Sequence, residues 1–440
     1  MAFPPPREMT AMNFGPTSFR PSRLALGLAA LLAAWSACAA DESSGAARVA
    51  ARAAARAHVK LDPAQAALIA QEQQASRPTR KADLGNKIFH DTTLSEPQGQ
   101  ACASCHRANL GFTDKGSTSH GADPSLFGPR NAPTITYAAF TPPLYAGGDE
   151  GPLAYTGGQF RDGRVNFLSD QAKVPLMNPI EMGNPDVPSL IAKVAAAPYA
   201  AEFQAAYGAD IFSDPDAAFT ALADALQRFE SSREFSRFDS KFDAYRRGET
   251  TLTDAEARGL AVFNDPDKGN CALCHLTGPD PVFGARPLLT DFGFDNIGVP
   301  RNPDNKFYTM PAQYNPDGKH YVDPGLGAIV PRPTQVGQFK SPSLRNVAVT
   351  GPYTHNGYFK TLRGLVDFYN TRDVKPRCAN PFTREADAIA QGCWPVAEQP
   401  STVNKTDLGN LHLSDQDVDD IVTFLGTLTD GWKPSDGNKH

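Results

Sequence analysis

Two pentapeptides of the sequence place a pair of cysteines three residues apart, each followed directly by a histidine. They read CASCH at 102–106 and CALCH at 271–275. Thiols at this spacing can form thioethers with the vinyl groups of a haem, while the adjacent imidazole binds the iron. A redox-active dithiol, half of a zinc site and a chance match are the alternatives. The repetition favours two covalently attached c-type haems. The residues concerned are Cys102, Cys105, His106, Cys271, Cys274 and His275.

Helices of similar pattern are expected to position the two motifs. LGNKIF at 84–89 and GLAVF at 259–263 each place a glycine before two apolar residues at helical spacing. Thr253 and Glu256 are suited to a capping box at the start of the second helix. Residues 414–428 carry apolar side chains at helical spacing and predict a late packing helix. We therefore predict a mainly α fold with two cytochrome c-like haem domains, long loops and few short strands.

The start of the chain has the pattern of a secretory signal peptide. Arg20 and Arg23 precede the apolar run at 24–34, which leads into the small residues SACAA. Lipid attachment at Cys38 is the alternative, but Trp35 fits that motif poorly. No later segment has the apolar length of a membrane-spanning helix. We therefore expect a periplasmic protein with no transmembrane segment after removal of the signal.

The predicted division of the 440 residues has four parts. Residues 1–40 are the signal peptide, and 41–78 are an extension rich in alanine and arginine. Residues 79–250 form an N-terminal c-type haem domain, and 251–432 form a C-terminal one. A polar stretch near residue 250 separates the two domains.

The net charge and the cysteines outside the two motifs give further information on partners and on covalent links. A formal net charge of −6 at pH 7 argues against binding to nucleic acid. Cys378 and Cys393 lie outside the two motifs. In an oxidising compartment we expect them to form a disulfide, with a reactive thiol as the alternative.

Several further motifs occur in a characteristic order. They are GPRNAPT at 128–134, the block DGR…Q…P…NPIEMG at 162–183, SLRNVAVTGPYTHNG at 343–357 and FYN at 368–370. Together with the two pentapeptides, they resemble the bacterial di-haem cytochrome c peroxidase and MauG family from about residue 80 to 430. The resemblance implies an oxidoreductase that activates hydrogen peroxide at the first haem. It makes the N-terminal domain peroxidatic and the C-terminal domain the route for electrons from an external donor.

The resemblance also implies roles for residues over the first haem. Gln171 and Glu181 correspond to the family's distal pair, Pro175 packs against the open face, and His106 is the proximal ligand. A carboxylate there can accept and return the proton that moves between the two peroxide oxygens, while an amide orients the peroxide. The alternative is that Glu181 is a carboxylate at the start of a helix and Gln171 a surface residue.

For the second haem, the resemblance makes His275 proximal and Tyr369 the opposite ligand. Tyr369 lies fourteen residues after His355, the position of the family's distal ligand. It also ends the apolar face of the helix predicted from Leu362 onward, so a core aromatic is the plain alternative. Ligation by Met310, or a site that is open or otherwise ligated, are further alternatives. A phenolate ligand would lower the haem potential, whereas a thioether would raise it.

A calcium ion between the haem domains is implied by the same resemblance. Its ligands would be Asn131, Thr350 and Pro352, and the alternative is that these residues only form turns.

At two positions the sequence departs from the residues expected for the family. Arg161 stands where the family has an inter-haem tryptophan, and Gly269 stands where MauG has the tryptophan used to oxidise its partner.

Three functions therefore remain in view. The first is a di-haem peroxidase supplied with electrons by a small cytochrome or a cupredoxin. The second is a MauG-like enzyme that oxidises side chains of a protein substrate, and the third is a di-haem electron carrier without peroxide chemistry.

Some peroxidases of the family carry a removable distal histidine near the position of His120. Because His120 is displaced from that position by a few residues, we expect it to be a histidine of a surface loop. No role at iron is expected for His90, His320 or His412.

Overall fold

The computed structural model describes residues 80–147, 154–279 and 286–434. The expected signal peptide, the alanine- and arginine-rich extension and Cys38 lie outside these residues. Within them the chain is mainly helical, as predicted. The α-helices are α1 Arg80–Phe89, α2 Cys102–Cys105, α3 Leu168–Met177, α4 Val187–Ala196, α5 Ala200–Tyr207, α6 Pro215–Glu230, α7 Lys241–Arg246, α8 Asp254–Asn264, α9 Leu362–Thr371, α10 Glu385–Gln391 and α11 Asp415–Gly426.

A first apolar core forms where α1, α3, α4 and α6 pack together. Phe89, Leu222 and Phe229 are among its buried side chains. The crossing of α1 over α6 is close because α1 carries glycine at the contact. A Cβ built on Gly85 would lie 2.0 Å from the carbonyl oxygen of Ala225. Only glycine therefore allows the two helix backbones to approach this closely.

A second core repeats this packing with α8 and α11. A Cβ built on Gly259 would lie 1.9 Å from the carbonyl oxygen of Asp420. Phe263 and Phe424 meet edge to face in this core, with ring centroids 5.3 Å apart. The capping box expected at Thr253 is present. The late helix is confirmed over α11. The division near residue 250 into two haem domains stays a prediction.

The strands are short and lie in two antiparallel pairs. β1 Tyr145–Gly147 pairs with β2 Ala154–Thr156, and Tyr145 is opposite Thr156. β3 Phe294–Asp295 pairs with β4 Phe339–Lys340, and Phe294 is opposite Lys340. Among the described residues, no helix combines the length and apolar character needed to cross a bilayer.

Two connections hold loops of the C-terminal half in place. The expected disulfide between Cys378 and Cys393 is confirmed. Arg345 is buried and forms a two-point ion pair with Asp243 of α7, with both N–O distances 2.9 Å. Its Nη2 and Nε also donate to the carbonyl of Pro287. Burial alone would raise the pKa of Asp243, but its bonds to Arg345 lower that pKa.

Arg345→Ala is predicted to reduce the free energy of unfolding by about 3–5 kcal/mol, because it leaves the Asp243 carboxylate buried without its cation. Arg363→Ala is the matched control. Arg363 pairs with Asp415 and Asp419 at the surface, so its loss should cost about 1 kcal/mol or less. The measurement is denaturant unfolding of the haem-loaded protein, followed by far-UV circular dichroism. Equal losses in the two variants would contradict the role assigned to Arg345.

Candidate functional site

The first pentapeptide forms one wall of a large internal cavity. Cys102 and Cys105 lie at the two ends of α2, and the His106 backbone amide donates to the Cys102 carbonyl at 2.9 Å. His106 Nδ1 donates to the carbonyl of Phe112 at 3.0 Å, since a carbonyl can only accept. This bond leaves Nε2 as the nitrogen with a free lone pair. Burial lowers the His106 pKa, so the imidazole is neutral and suited to bind iron.

The cavity has the size and chemistry of a haem pocket. Its volume is about 660 Å³, and apolar side chains such as Ile135, Leu176 and Leu226 line it. Burial raises the pKa of Cys102 to about 12 and that of Cys105 to about 11. Neither sulfur therefore carries a charge in the apolar cavity at neutral pH. Thiols, a metal-binding nitrogen and an apolar cavity together fit a covalently attached haem.

The residues expected as the distal pair lie on the lining of the same cavity. Gln171 and Pro175 belong to α3, and Glu181 lies in the turn that follows this helix. The Glu181 backbone amide donates to the Asn178 carbonyl at 3.0 Å. Asn178 Nδ2 in turn donates to Glu181 Oε1 at 2.6 Å. The side-chain bond holds the carboxylate at the cavity wall.

Electrostatics suit Glu181 to proton transfer. Burial raises its pKa above the ordinary value for glutamate, whereas the hydrogen bond from Asn178 and the charge of Arg164 act in the opposite direction. A carboxyl group whose pKa is raised toward neutral accepts and returns a proton more readily than an ordinary glutamate. The arrangement can therefore support acid–base chemistry inside the cavity.

The second pentapeptide lines a smaller cavity of about 200 Å³. His275 Nδ1 donates to the Leu289 carbonyl at 2.9 Å, which again leaves Nε2 free to bind iron. Burial lowers the His275 pKa and raises that of Cys271 to about 12. The donor set is thus the same as in the first cavity. It fits a second covalently attached haem.

Tyr369 and Met310 lie in different environments. Tyr369 is the expected second ligand of the second haem, and Met310 is an alternative. Tyr369 of α9 lines the second cavity together with Cys271, Cys274 and His275. Burial raises its pKa, so its hydroxyl would lose the proton only to a strong local cation such as iron. Met310 does not line the second cavity. It packs with Phe307, and its sulfur accepts a hydrogen bond from the Phe127 backbone amide at 3.4 Å.

Charged residues that the sequence did not single out as a group lie between the cavities. Arg130 forms a two-point ion pair with Asp323 and a further contact with Asp162, all at 2.7 Å. Arg161 and Lys340 line both cavities. Burial lowers the Lys340 pKa to about 7. Arg130 lies in the GPRNAPT motif and Asp162 in the DGR block. The residues around Asp323 and Lys340 form no motif that would have identified these two.

The three residues expected to bind calcium all line the first cavity. The oxygens of Asn131 are already engaged. Asn131 Oδ1 accepts a hydrogen bond from Arg161 Nη2 at 2.7 Å, and Asn131 O accepts one from Arg161 Nε at 3.1 Å. The described residues contain no cluster of three or more acidic, histidine or cysteine side chains arranged to hold a metal ion.

His120 differs in placement from His90, His320 and His412. His120 is exposed but lies at the lining of the first cavity, where its backbone carbonyl accepts a hydrogen bond from Gln100. His90, His320 and His412 line neither cavity. That these three have no role at iron stays a prediction.

Comparisons with known proteins extend over most of the chain. A family model described as di-haem cytochrome c peroxidase matches residues 79–251. The methylamine utilization protein MauG of Paracoccus denitrificans is 38% identical over 369 residues, which cover 82% of this chain and 91% of that protein. The cytochrome c peroxidase Ccp of Escherichia coli is 31% identical over 364 residues, covering 82% of this chain and 61% of that protein. The crystal structure of the diheme peroxidase BthA from Burkholderia thailandensis matches with a TM-score of 0.64 and 34% identity, covering 81% of this chain and 87% of that one.

Tyr369→Phe is predicted to change the EPR and optical spectra of the second ferric haem and to raise its reduction potential. The substitution keeps the ring in the core but removes the oxygen that can bind iron. Tyr358→Phe is the matched control, because Tyr358 is buried outside both cavities and donates to the Thr383 carbonyl. A Tyr369→Phe protein with the spectra and potential of the wild type would make Tyr369 a core aromatic only.

Proposed function

Because the chain belongs to the di-haem cytochrome c peroxidase family, we propose that it reduces hydrogen peroxide in the first cavity with electrons that enter through the second. Membership makes it an oxidoreductase that carries two c-type haems. The observation that carries the proposal is the placement of Gln171 and Glu181 on the same cavity as Cys102, Cys105 and His106. A pure electron carrier has no use for a carboxyl group there.

The haems, when bound, supply an iron site for peroxide and the one-electron redox steps. In the first pocket, Cys102 and Cys105 would hold the group, and His106 Nε2 would bind the iron. The Phe112 carbonyl orients that imidazole through Nδ1. Pro175 and nearby apolar residues line the pocket, so part of its wall offers no hydrogen-bond partner to water.

The proton chemistry is assigned to Glu181 and Gln171. Reduction of hydrogen peroxide to two water molecules consumes two electrons and two protons. We assign to Glu181 the removal of the proton from the inner peroxide oxygen and its return to the outer oxygen, which then leaves as water. The Gln171 amide orients the peroxide, and the Asn178 hydrogen bond keeps the Glu181 carboxylate at the wall.

Electrons are proposed to reach the second haem from a small cytochrome or a cupredoxin. Cys271, Cys274, His275 and Tyr369 would hold this haem. An anionic oxygen ligand favours the oxidised states of iron, so the Tyr369 phenolate would suit this pocket to hold oxidising rather than reducing equivalents. The proposed site of action is the periplasm, which follows from the expected signal peptide.

A MauG-like oxidation of a partner protein is the second candidate. The position of Tyr369 in the second cavity favours it. Gly269 weighs against it, because a Cβ there would lie 2.1 Å from the Val262 carbonyl oxygen, so the local backbone leaves no room for a tryptophan. Steady-state turnover with a reduced small cytochrome separates the candidates. Rapid turnover supports the peroxidase, and its absence despite a spectral response to peroxide supports the MauG-like reaction.

Calcium, expected from the sequence, is not part of the proposed mechanism. The Asn131 amide oxygen that would bind it already accepts a hydrogen bond from Arg161. A calcium ion would have to displace that guanidinium.

Glu181→Gln is predicted to lower kcat/KM for peroxide by about 10²–10⁴-fold, because the amide cannot carry the proton between the oxygens. Glu385→Gln is the matched control. The Glu385 carboxyl is also buried and its pKa is also raised by burial, but it lies outside both cavities and bonds to Lys360 and Thr361. Stopped-flow and steady-state peroxide kinetics on the haem-loaded variants measure both. Wild-type kinetics in Glu181→Gln would overturn the assignment.

The decrease of kcat/KM for peroxide at low pH is predicted to reflect protonation of Glu181. The group acts as the carboxylate, so kcat/KM should fall as pH drops through its pKa, and burial places this fall above the range of an ordinary glutamate. Asn178→Ala removes a hydrogen bond that lowers the pKa, so the fall should move to higher pH. If the fall of kcat/KM occurs at the same pH in Asn178→Ala as in the wild type, it reflects protonation of a group other than Glu181.

A further inference from the structure

Arg161 places its guanidinium against both oxygens of one uncharged residue. Nη2 donates to Asn131 Oδ1 at 2.7 Å, and Nε donates to the Asn131 backbone carbonyl at 3.1 Å. An amide oxygen and a backbone carbonyl oxygen are also donors that a hard metal cation uses. The side chain that replaces the family's tryptophan thus puts a positive charge on the Asn131 amide oxygen, one of the oxygens expected to bind calcium.

The neighbouring carboxylates are committed to another arginine. Arg130 holds Asp323 through two bonds and reaches Asp162 through a third. An arginine guanidinium keeps its proton well above neutral pH. At neutral pH the guanidinium therefore stays charged, and the Asn131 oxygens face that charge directly.

The Arg161–Asn131 contact also joins the walls of the two cavities. The Arg161 backbone carbonyl accepts a hydrogen bond from the Lys340 amide of β4 at 2.8 Å, and the Asn131 amide donates to the His355 carbonyl at 2.8 Å. Lys340 and His355 line the second cavity, and Asn131 lines the first. A continuous hydrogen-bonded path therefore runs from β4 through Arg161 and Asn131 to His355.

We propose that the Arg161 guanidinium is the resident cation of this site, and that it clamps the two haem pockets together in place of a calcium ion. Calcium could bind Asn131 only after expelling Arg161 from its hydrogen bonds, because two cations at the same two oxygens repel each other. The proposal replaces the calcium expectation drawn from the sequence. It does not depend on whether the enzyme is a peroxidase or oxidises a partner protein.

The first test uses the wild-type protein with both haems attached. Metal analysis after gel filtration should find no stoichiometric calcium. Neither EGTA nor added calcium chloride should alter the Tm or the EPR signals of the two haems. Stoichiometric bound calcium, or a fall in Tm or a change in the EPR signals on chelation, would overturn the proposal even if no variant could be prepared.

The second test removes the guanidinium. Arg161→Ala frees the Asn131 oxygens, so added calcium chloride should now raise the Tm, and titration calorimetry should detect calcium binding. Arg161→Lys keeps a cation and should stay insensitive to calcium. Arg164→Ala is the matched control, because it removes a nearby arginine that pairs with Asp162 rather than Asn131. Equal calcium responses in wild type and Arg161→Ala would contradict the proposal.

Discussion

Two glycine contacts set the geometry on which both pockets depend. At Gly85 and at Gly259, the α-carbon of one helix lies so close to a carbonyl of the crossing helix that no side chain fits. Each crossing brings a phenylalanine four residues later into a core. Each helix then leads, through a loop, into a CxxCH turn. Because the thiols and the imidazole must meet one rigid porphyrin, helix crossings this close restrict where each turn can lie.

The imidazoles are oriented in the same way in the two pockets, although the surrounding residues differ. In each, Nδ1 donates to a backbone carbonyl, of Phe112 in one case and Leu289 in the other. A main-chain acceptor fixes the tautomer without adding a charge, so the ligand field at each iron is left to the opposite face. That face differs between pockets, with Gln171 and Glu181 on the lining of the first and Tyr369 on that of the second. The proposed division of labour between the haems therefore rests on these lining residues.

Between the pockets, Arg130 pairs with the carboxylates of Asp323 and Asp162. Arg161 instead donates to the uncharged oxygens of Asn131. An ion pair between Arg161 and Asp323 would have been the simpler outcome of placing these residues together. Arg130 prevents it by taking both Asp323 oxygens. The consequence is a charged side chain whose best partners are the amide and carbonyl oxygens of Asn131. This local competition is why a residue identified in the sequence only as the loss of a tryptophan acquires a structural role.

Local patterns predicted much of the fold and of the site. Capping residues, apolar spacing and the CxxCH turns depend on contacts within a few residues, so α8, α9, α11 and the haem attachment could be predicted directly. The disulfide between Cys378 and Cys393 followed from the small number of cysteines and the expected compartment. The roles of Gln171, Glu181 and Tyr369 came from family resemblance, since nothing local distinguishes Tyr369 from a core aromatic.

The sequence by itself determined which residues could hold haem and in what order the helices that carry them occur, because covalent spacing and helical periodicity are local properties. Only the tertiary structure decided which side chains share a cavity and which oxygens stay available to a cation. Asp323 and Asp162 are 161 positions apart in the chain, yet Arg130 binds both. No sequence pattern predicts such a contact, because it depends on which of several nearby charges comes closest once the chain is folded.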